Sequence, residues 1–241
     1  MKKIIAIVVV VLLILVAVAL MFFRATPFKY SGVVEAVEVN VSSRLTQELV
    51  KNHFTEGDMV KKGDILAELD CNDINLALTI ADKEYKRAAQ LLKSSAGSQD
   101  NYDKAKHNYD DAVLKKSWCT LASPIDGKVL YKYFEEGELV SPGRKLYTVA
   151  DMREMDVWVY VPHDVLSKLS VNMKLTAYLP EAAQNFDGYI SVINDEAEFT
   201  PKNVQTRSER TRLVYGIKTK FKNDDKFTLK PGMTLEVNLP E

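Results

Sequence analysis

Side chains able to do covalent or metal chemistry are few in this sequence, and they are scattered. The three histidines, His53, His107 and His163, stand far apart. None has a Cys, Asp or Glu at metal-ligand spacing together with a second partner, and an isolated histidine is ordinarily a surface or packing residue. The pair Asp224-Asp225 follows Asn223 and reads as a turn rather than an acid–base couple. No Gly-x-Ser-x-Gly elbow, phosphate loop or dinucleotide fingerprint occurs. The sequence therefore offers no catalytic, cofactor-binding or metal residues, and the chain reads as something other than an enzyme. Any energy from nucleotide hydrolysis would have to come from a separate subunit. Cys71 and Cys119 remain, and what two cysteines do depends on the compartment they fold in.

The first residues bear on that compartment. Met1, Lys2 and Lys3 precede Ile4 to Phe23, twenty residues without charge, Gly or Pro. As a helix they span about 30 Å, the thickness of a bilayer core. Lysines ahead of the run favour an N-in orientation, leaving the rest of the chain outside the cytoplasm. A cleaved signal peptide is the rival, because Ala17-Val18-Ala19 has the small-x-small form. The apolar run continues through Leu20 to Phe23, longer than cleavage needs, so the expectation is an uncleaved transmembrane helix. The whole chain of 241 residues carries balanced charge, 32 Lys+Arg against 33 Asp+Glu. Such a chain lacks the basic field that nucleic-acid binding requires.

The elements beyond the apolar run begin with a repeat at an offset of 80 residues. Ser43 matches Ser123, Phe54 matches Phe134, Glu56-Gly57 matches Glu136-Gly137, Val60 matches Val140, Gly63 matches Gly143, and Leu66 matches Leu146. Seven identities in register without a gap argue against two unrelated hairpins that share turn chemistry. The paired glycines supply positive φ for two tight turns, and the alternating β-prone residues between them make short half-buried strands. Two such units would form one sandwich.

Between the halves the period changes. Ile74, Leu78, Ala81, Tyr85, Ala88 and Leu92 follow a heptad seam, with Asn72 as the expected N-cap. Ser94 to Ser98 breaks the pattern, and Tyr102, Ala105, Tyr109 and Ala112 form a second seam. Two helices joined by a short Ser/Gly turn read as an antiparallel coiled-coil hairpin with arms of about 33 Å. Cys71 immediately precedes it and Cys119 immediately follows it. The ends of an antiparallel hairpin meet at its base, so the two could form a disulfide. Two small thiols that only pack are the alternative.

From about Met152 onward, Asp156–Val161, Lys174–Leu179, Tyr189–Ile193, Leu213–Phe221 and Thr234–Leu239 have strand character, with a short helix at His163–Leu169. Strands of this spacing suggest a small antiparallel barrel.

The order of anchor, half-motif, helical hairpin, half-motif and barrel resembles the periplasmic adaptor or membrane fusion protein family, the HlyD-type subunits of tripartite exporters. Thr55 to Asp64 and Ala122-Ser123-Pro124-Ile125-Asp126-Gly127 resemble that family's split lipoyl domain. The resemblance covers nearly everything after residue 28. It implies a mainly β fold: a split lipoyl-like β-sandwich with an inserted α-helical hairpin, a small β-barrel and an N-terminal transmembrane helix. The corresponding boundaries are 1–24 for the anchor, 25–70 for the first half, 71–119 for the hairpin, 120–151 for the second half and 152–241 for the barrel. It also implies an inner-membrane, single-pass location with the bulk of the chain periplasmic. The implied partners are an inner-membrane transporter, a TolC-like outer-membrane duct and further copies in a ring.

Two stretches carry finer expectations from the same resemblance. Arg87, Leu91 and Ser98 follow Arg-x3-Leu-x6-Ser, which in adaptors that meet a TolC-like duct sits at the hairpin tip. Glu198 to Thr206, followed by Leu213-Val214-Tyr215, resembles adaptors that work with ABC-type exporters. In one respect the chain departs from many pump-type adaptors: little sequence follows the expected barrel from which to build a membrane-proximal domain. A tethered lipoyl or biotinyl carrier would present a modifiable Lys at the end of the first half-motif. That point reads Glu68-Leu69-Asp70-Cys71-Asn72 and has none. A passive envelope scaffold using the same hairpin is separated from an adaptor only by the Arg-Leu-Ser triplet.

Overall fold

The computed structural model describes residues 30–199 and 213–240. The segment Ile4–Phe23, expected to be a membrane anchor, lies outside the described residues. No helix among the described residues is long and apolar enough to cross a membrane. The chain divides into two compact units, neither continuous in sequence. Among the described residues, one comprises Val34–Asp156 with Lys220–Met233, and the other comprises 30–33, 157–199, 213–219 and 234–240. Three long strands pass from one unit into the other: β1 (Tyr30–Ser42), β8 (Lys145–Val161) and β11 (Leu213–Lys222).

The first unit is a sandwich built by the repeat, and its halves interlock instead of each closing on itself. Its strands are the distal part of β1, then β2 (Gln47–Asn52), β3 (Met59–Val60), β4 (Ile65–Leu69), β5 (Thr120–Ala122), β6 (Gly127–Lys132), β7 (Leu139–Val140) and the start of β8. Strand β2 of the first half pairs with β7 of the second, Gln47 opposite Val140. Strand β3 of the first pairs with β6 of the second, Val60 opposite Gly127, which is the same pairing shifted by the repeat. The hydrogen bonds repeat too. Gly63 N–H donates to Ser123 O at 2.8 Å and Gly143 N–H to Ser43 O at 2.9 Å; Gly57 N–H donates to Val129 O and Gly137 N–H to Leu49 O, each at 2.8 Å. Ser43 and Ser123 each turn their hydroxyl onto the carbonyl two residues ahead. The turn glycines adopt the positive φ the repeat called for, 96° at Gly57 and 89° at Gly137.

The swap explains why the halves carry the same pattern: each supplies the edge that the other needs, so neither has a complete sheet alone. One core results, with Leu49, Leu66, Val129, Val149 and Leu146 almost fully buried. Tyr147 breaks the symmetry, standing where the first half has Ala67. It is fully buried, and its hydroxyl lies 2.6 Å from Asn52 Oδ1, 3.1 Å from Phe54 O and 3.2 Å from Leu66 O. A phenol held this way is satisfied while neutral, and burial pushes its pKa up to about 12.

The second unit contains the strand sequence β1, β12 (Thr234–Asn238), β9 (Lys174–Leu179), β10 (Gln184–Phe199), β11 and β8, with β1 also pairing β8, so the order returns on itself. Closure removes free edges, which is how short strands avoid pairing with other chains. The pairs β1–β12, β9–β10 and β9–β12 are antiparallel. Val157, Val159 and Val161 on β8 alternate inward, as do Leu175, Ala177 and Leu179 on β9. Gly32 lies so close to Trp158 that an added Cβ would fall 2.4 Å from its carbonyl oxygen.

Two boundaries differ from the sequence expectation. Strand β8 runs unbroken across the point where a division was drawn at 151/152, because Asp151, Arg153 and Glu154 interrupt its alternation without leaving the ladder. Arg153 donates to both carboxylate oxygens of Asp151, which holds that carboxyl below the usual range. Met152 and Met155 fill the core from the same stretch. The short helix ends at Leu166.

Candidate functional site

The hairpin inserted between the halves consists of α1 (Asn72–Lys93) and α2 (Gln99–Ser117). Its seam is the one the heptads specify. Ala81 and Ala112 are buried, and Ile74, Leu78, Tyr85, Ala88, Leu92, Tyr102, Ala105 and Tyr109 are half-buried. Small residues at the seam let the backbones approach, and tyrosines fill the middle. Tyr85 stacks on Tyr109 with ring centroids 5.3 Å apart and meets Tyr102 at 5.6 Å, the two hydroxyls 3.3 Å apart. That hydrogen bond raises the pKa of Tyr102. Asp73 and Asp100 lie in the first turns and Lys93, Lys115 and Lys116 in the last, each complementing its helix dipole.

The base begins one residue earlier than expected. Cys71, not Asn72, occupies the N-cap position, and the Asp70 carboxylate accepts from Asn72 N–H at 3.1 Å. In the structure Cys71 and Cys119 form a disulfide across the base, with Cα atoms 6.1 Å apart. Both residues are buried, at 4% and 2% exposure. Trp118 at the end of α2 lies under the Arg44 guanidinium, 5.8 Å from its centroid.

The tip turns through Ser94 to Ser98. Ser95 takes a φ of 60°, and the N–H groups of Ala96 and Gly97 both donate to Leu91 O, at 2.9 and 3.0 Å. A Cβ on Gly97 would come within 3.0 Å of Leu91 Cβ, so glycine is what lets the chain fold back over α1. Ser98 is the N-cap of α2, its hydroxyl accepting from Asn101 N–H at 3.3 Å. Such caps contribute about 1 kcal/mol. The three residues singled out at the tip thus divide. Arg87 and Leu91, four apart on α1, share an exposed face away from the seam, with Leu91 44% exposed. Arg87 makes no ion pair among the described residues, whereas Ser98 has its hydroxyl engaged in the turn.

The histidines are not brought together. His53 Nε2 is 2.7 Å from Glu68 Oε1, His163 is 6.1 Å from the Tyr215 ring, and His107 is exposed on α2. Among the described residues no group of three His, Cys, Asp or Glu could hold a metal ion. Sequence reasoning missed Tyr147 and Arg44. A bulky phenol opposite an alanine of the other half is a signal an aligned repeat can show. The stacking of Arg44 on Trp118 has no local signature, because 74 positions separate them.

Residues 37–162, just over half of the chain, match the family described as RND MFP, barrel-sandwich hybrid domain. Multidrug resistance protein MdtA of Proteus mirabilis is 26% identical over 86% of this chain and 57% of its own length. A UPF0194 membrane protein of Acidithiobacillus ferridurans is 35% identical over 50% of this chain and 36% of its own. The chain thus spans between about a third and just over half of these relatives. Two solved structures share the fold. The membrane fusion protein Spr0693 of Streptococcus pneumoniae superposes with a TM-score of 0.68 at 17% identity, covering 89% of this chain and 99% of that one. A MacA-MexA chimera carrying the Pseudomonas aeruginosa MexA α-hairpin gives 0.66 at 21%, covering 88% and 80%. The interlocked sandwich, the hairpin inserted at its midpoint and this family match together show that the chain belongs to the membrane fusion proteins, the periplasmic adaptor family.

Proposed function

We propose that the chain is the adaptor subunit of a tripartite exporter, linking an inner-membrane transporter to a TolC-like outer-membrane duct through its hairpin tip. It does this by contact, without catalysis. The observation that carries the reading is the exposed pair Arg87 and Leu91 beside the turn of a hairpin whose base is clamped. A guanidinium can donate to carbonyls or carboxylates of the duct, and an exposed leucine four residues on can enter an apolar pocket. An N-terminal anchor would tether the chain beside its transporter, and several copies would pack side by side into a ring.

Two transporter classes have support. The stretch Glu198 to Thr206 with Leu213-Val214-Tyr215 favours an ABC-type exporter. The matched family is described as RND MFP, which favours an RND-type transporter as the second reading. Purifying the chain from native membranes and identifying the transporter that accompanies it separates them. The adaptor role itself is tested by Arg87→Asp, which should abolish export with expression and membrane location unchanged. Undiminished export by that variant would mean that export does not depend on docking through the hairpin tip.

A further inference from the structure

A cleft of about 460 Å³ lies beside the hairpin base and has no part in the reading above. Its floor is Val39–Ser42 of β1 and the edge strand β5, and its apolar wall is Leu114, Trp118 and Pro124. Arg44 stands at the rim, stacked on Trp118 and without an ion pair among the described residues. The leucine is 51% exposed. The cleft therefore combines an apolar wall, the edge strand β5 and one cation without an ion pair among the described residues.

Strand β5 is one edge of a four-stranded sheet with the order β5-β4-β2-β7, so β7 is the opposite edge. Strand β7 begins with Leu139, which at 66% is the most exposed large apolar side chain among the described residues. It follows Glu135, Glu136 and Glu138, all exposed. Glu135 is paired to Lys132. Glu136 and Glu138 each use one carboxylate oxygen within the fold, on Asn52 N–H and Glu135 N–H, which leaves the other oxygen free to accept. The repeat-related turn presents Met59, but there Glu56 and Asp58 are balanced by Lys61 and Lys62. Only the second turn is acidic.

We propose that the Arg44–Trp118 cleft receives the Glu136–Leu139 turn of a second copy of this chain. Leu139 would pack against Leu114 and Trp118, and the Arg44 guanidinium would donate to the free carboxylate oxygens. Opposite signs and one exposed apolar knob facing one apolar hollow select this occupant over an uncharged or basic segment. Because hollow and knob lie on opposite edges of one sheet, the contact is heterologous: each copy offers a free edge to the next, and the series closes into a ring or grows. The proposal names the contact behind the self-association in the adaptor reading and rests on that reading for its purpose.

The test uses the full chain in native membranes, with Ser117→Cys and Leu139→Cys introduced together and a short bismaleimide as cross-linker. A ladder of covalent dimers and larger species is expected from the pair, and none from Ser117→Cys with Met59→Cys. Adding Arg44→Glu should cut the yield about tenfold, and Glu136→Arg on that background should restore it. Three results would overturn the proposal: only monomer from the 117–139 pair while the hairpin tip still cross-links to a duct, equal yield from Met59, or capture of a different protein by Ser117→Cys alone. A ladder that forms while the tip never reaches a duct would leave this contact standing and remove the adaptor reading.

Discussion

Replacing both cysteines by alanine should destabilise the sandwich and hairpin base without unfolding either helix. Cys71 and Cys119 are 48 positions apart, and opening a loop of that size returns about 4 kcal/mol of chain entropy to the unfolded state. Alanine leaves no buried hydroxyl to desolvate, so the added packing loss is small. With a urea dependence of about 2 kcal/mol per M, the unfolding midpoint should fall by about 2 M. The chain has two tryptophans, Trp118 next to Cys119 and Trp158 on β8. Trp158→Phe leaves Trp118, next to Cys119, as the single fluorescent reporter of the hairpin base. The midpoint of the cystine form should drop by the same amount when a reductant is added, and the alanine variant should not respond to reductant at all. Equal midpoints for the parent with and without reductant, or recovery of both cysteines fully alkylated without prior reduction, would refute the reasoning.

Tyr147→Phe leaves Asn52 Oδ1 without its buried donor and should cost about 1–3 kcal/mol, read as a lowered denaturation midpoint. Because the folded pKa of Tyr147, about 12, lies above the unfolded value of 10.0, its contribution is whole below pH 10 and is lost as pH rises towards 12; the phenylalanine variant should show less alkaline loss in a pH series of midpoints. Gly97→Ala forces the tip apart at Leu91 and should reduce tip cross-linking while leaving the circular dichroism of the helices unchanged. Mass spectrometry of the native protein should recover the peptide beginning at Met1 intact; a mature terminus at Leu20 would mean that the apolar run is a cleaved signal.

What the sequence showed of the fold depended on how local the signal was. Helix periodicity is local, and the seam from Ile74 to Leu92 holds in the structure position by position. The repeat supplied the turns, since Gly57 and Gly137 need positive φ wherever their partners lie. It did not reveal the exchange of β3 and β7 between halves, because an internal repeat constrains each half's pattern and not which half completes which sheet. The charged break at Asp151–Glu154 hid the continuity of β8, where exposed ion pairing keeps charges on a strand that the pattern alone would end. At the tip, the family resemblance pointed to Arg87, Leu91 and Ser98 together. Only geometry distinguishes two free side chains from a serine already used as a cap.

The claim that this chain works by docking its hairpin tip is tested most directly by site-specific photo-cross-linking in living cells from positions 87 and 91. The account predicts capture of an outer-membrane duct from both positions, and none from an exposed seam-distant position such as His107 in the middle of α2. Capture of the duct from the barrel strands, with positions 87 and 91 giving nothing, would contradict it.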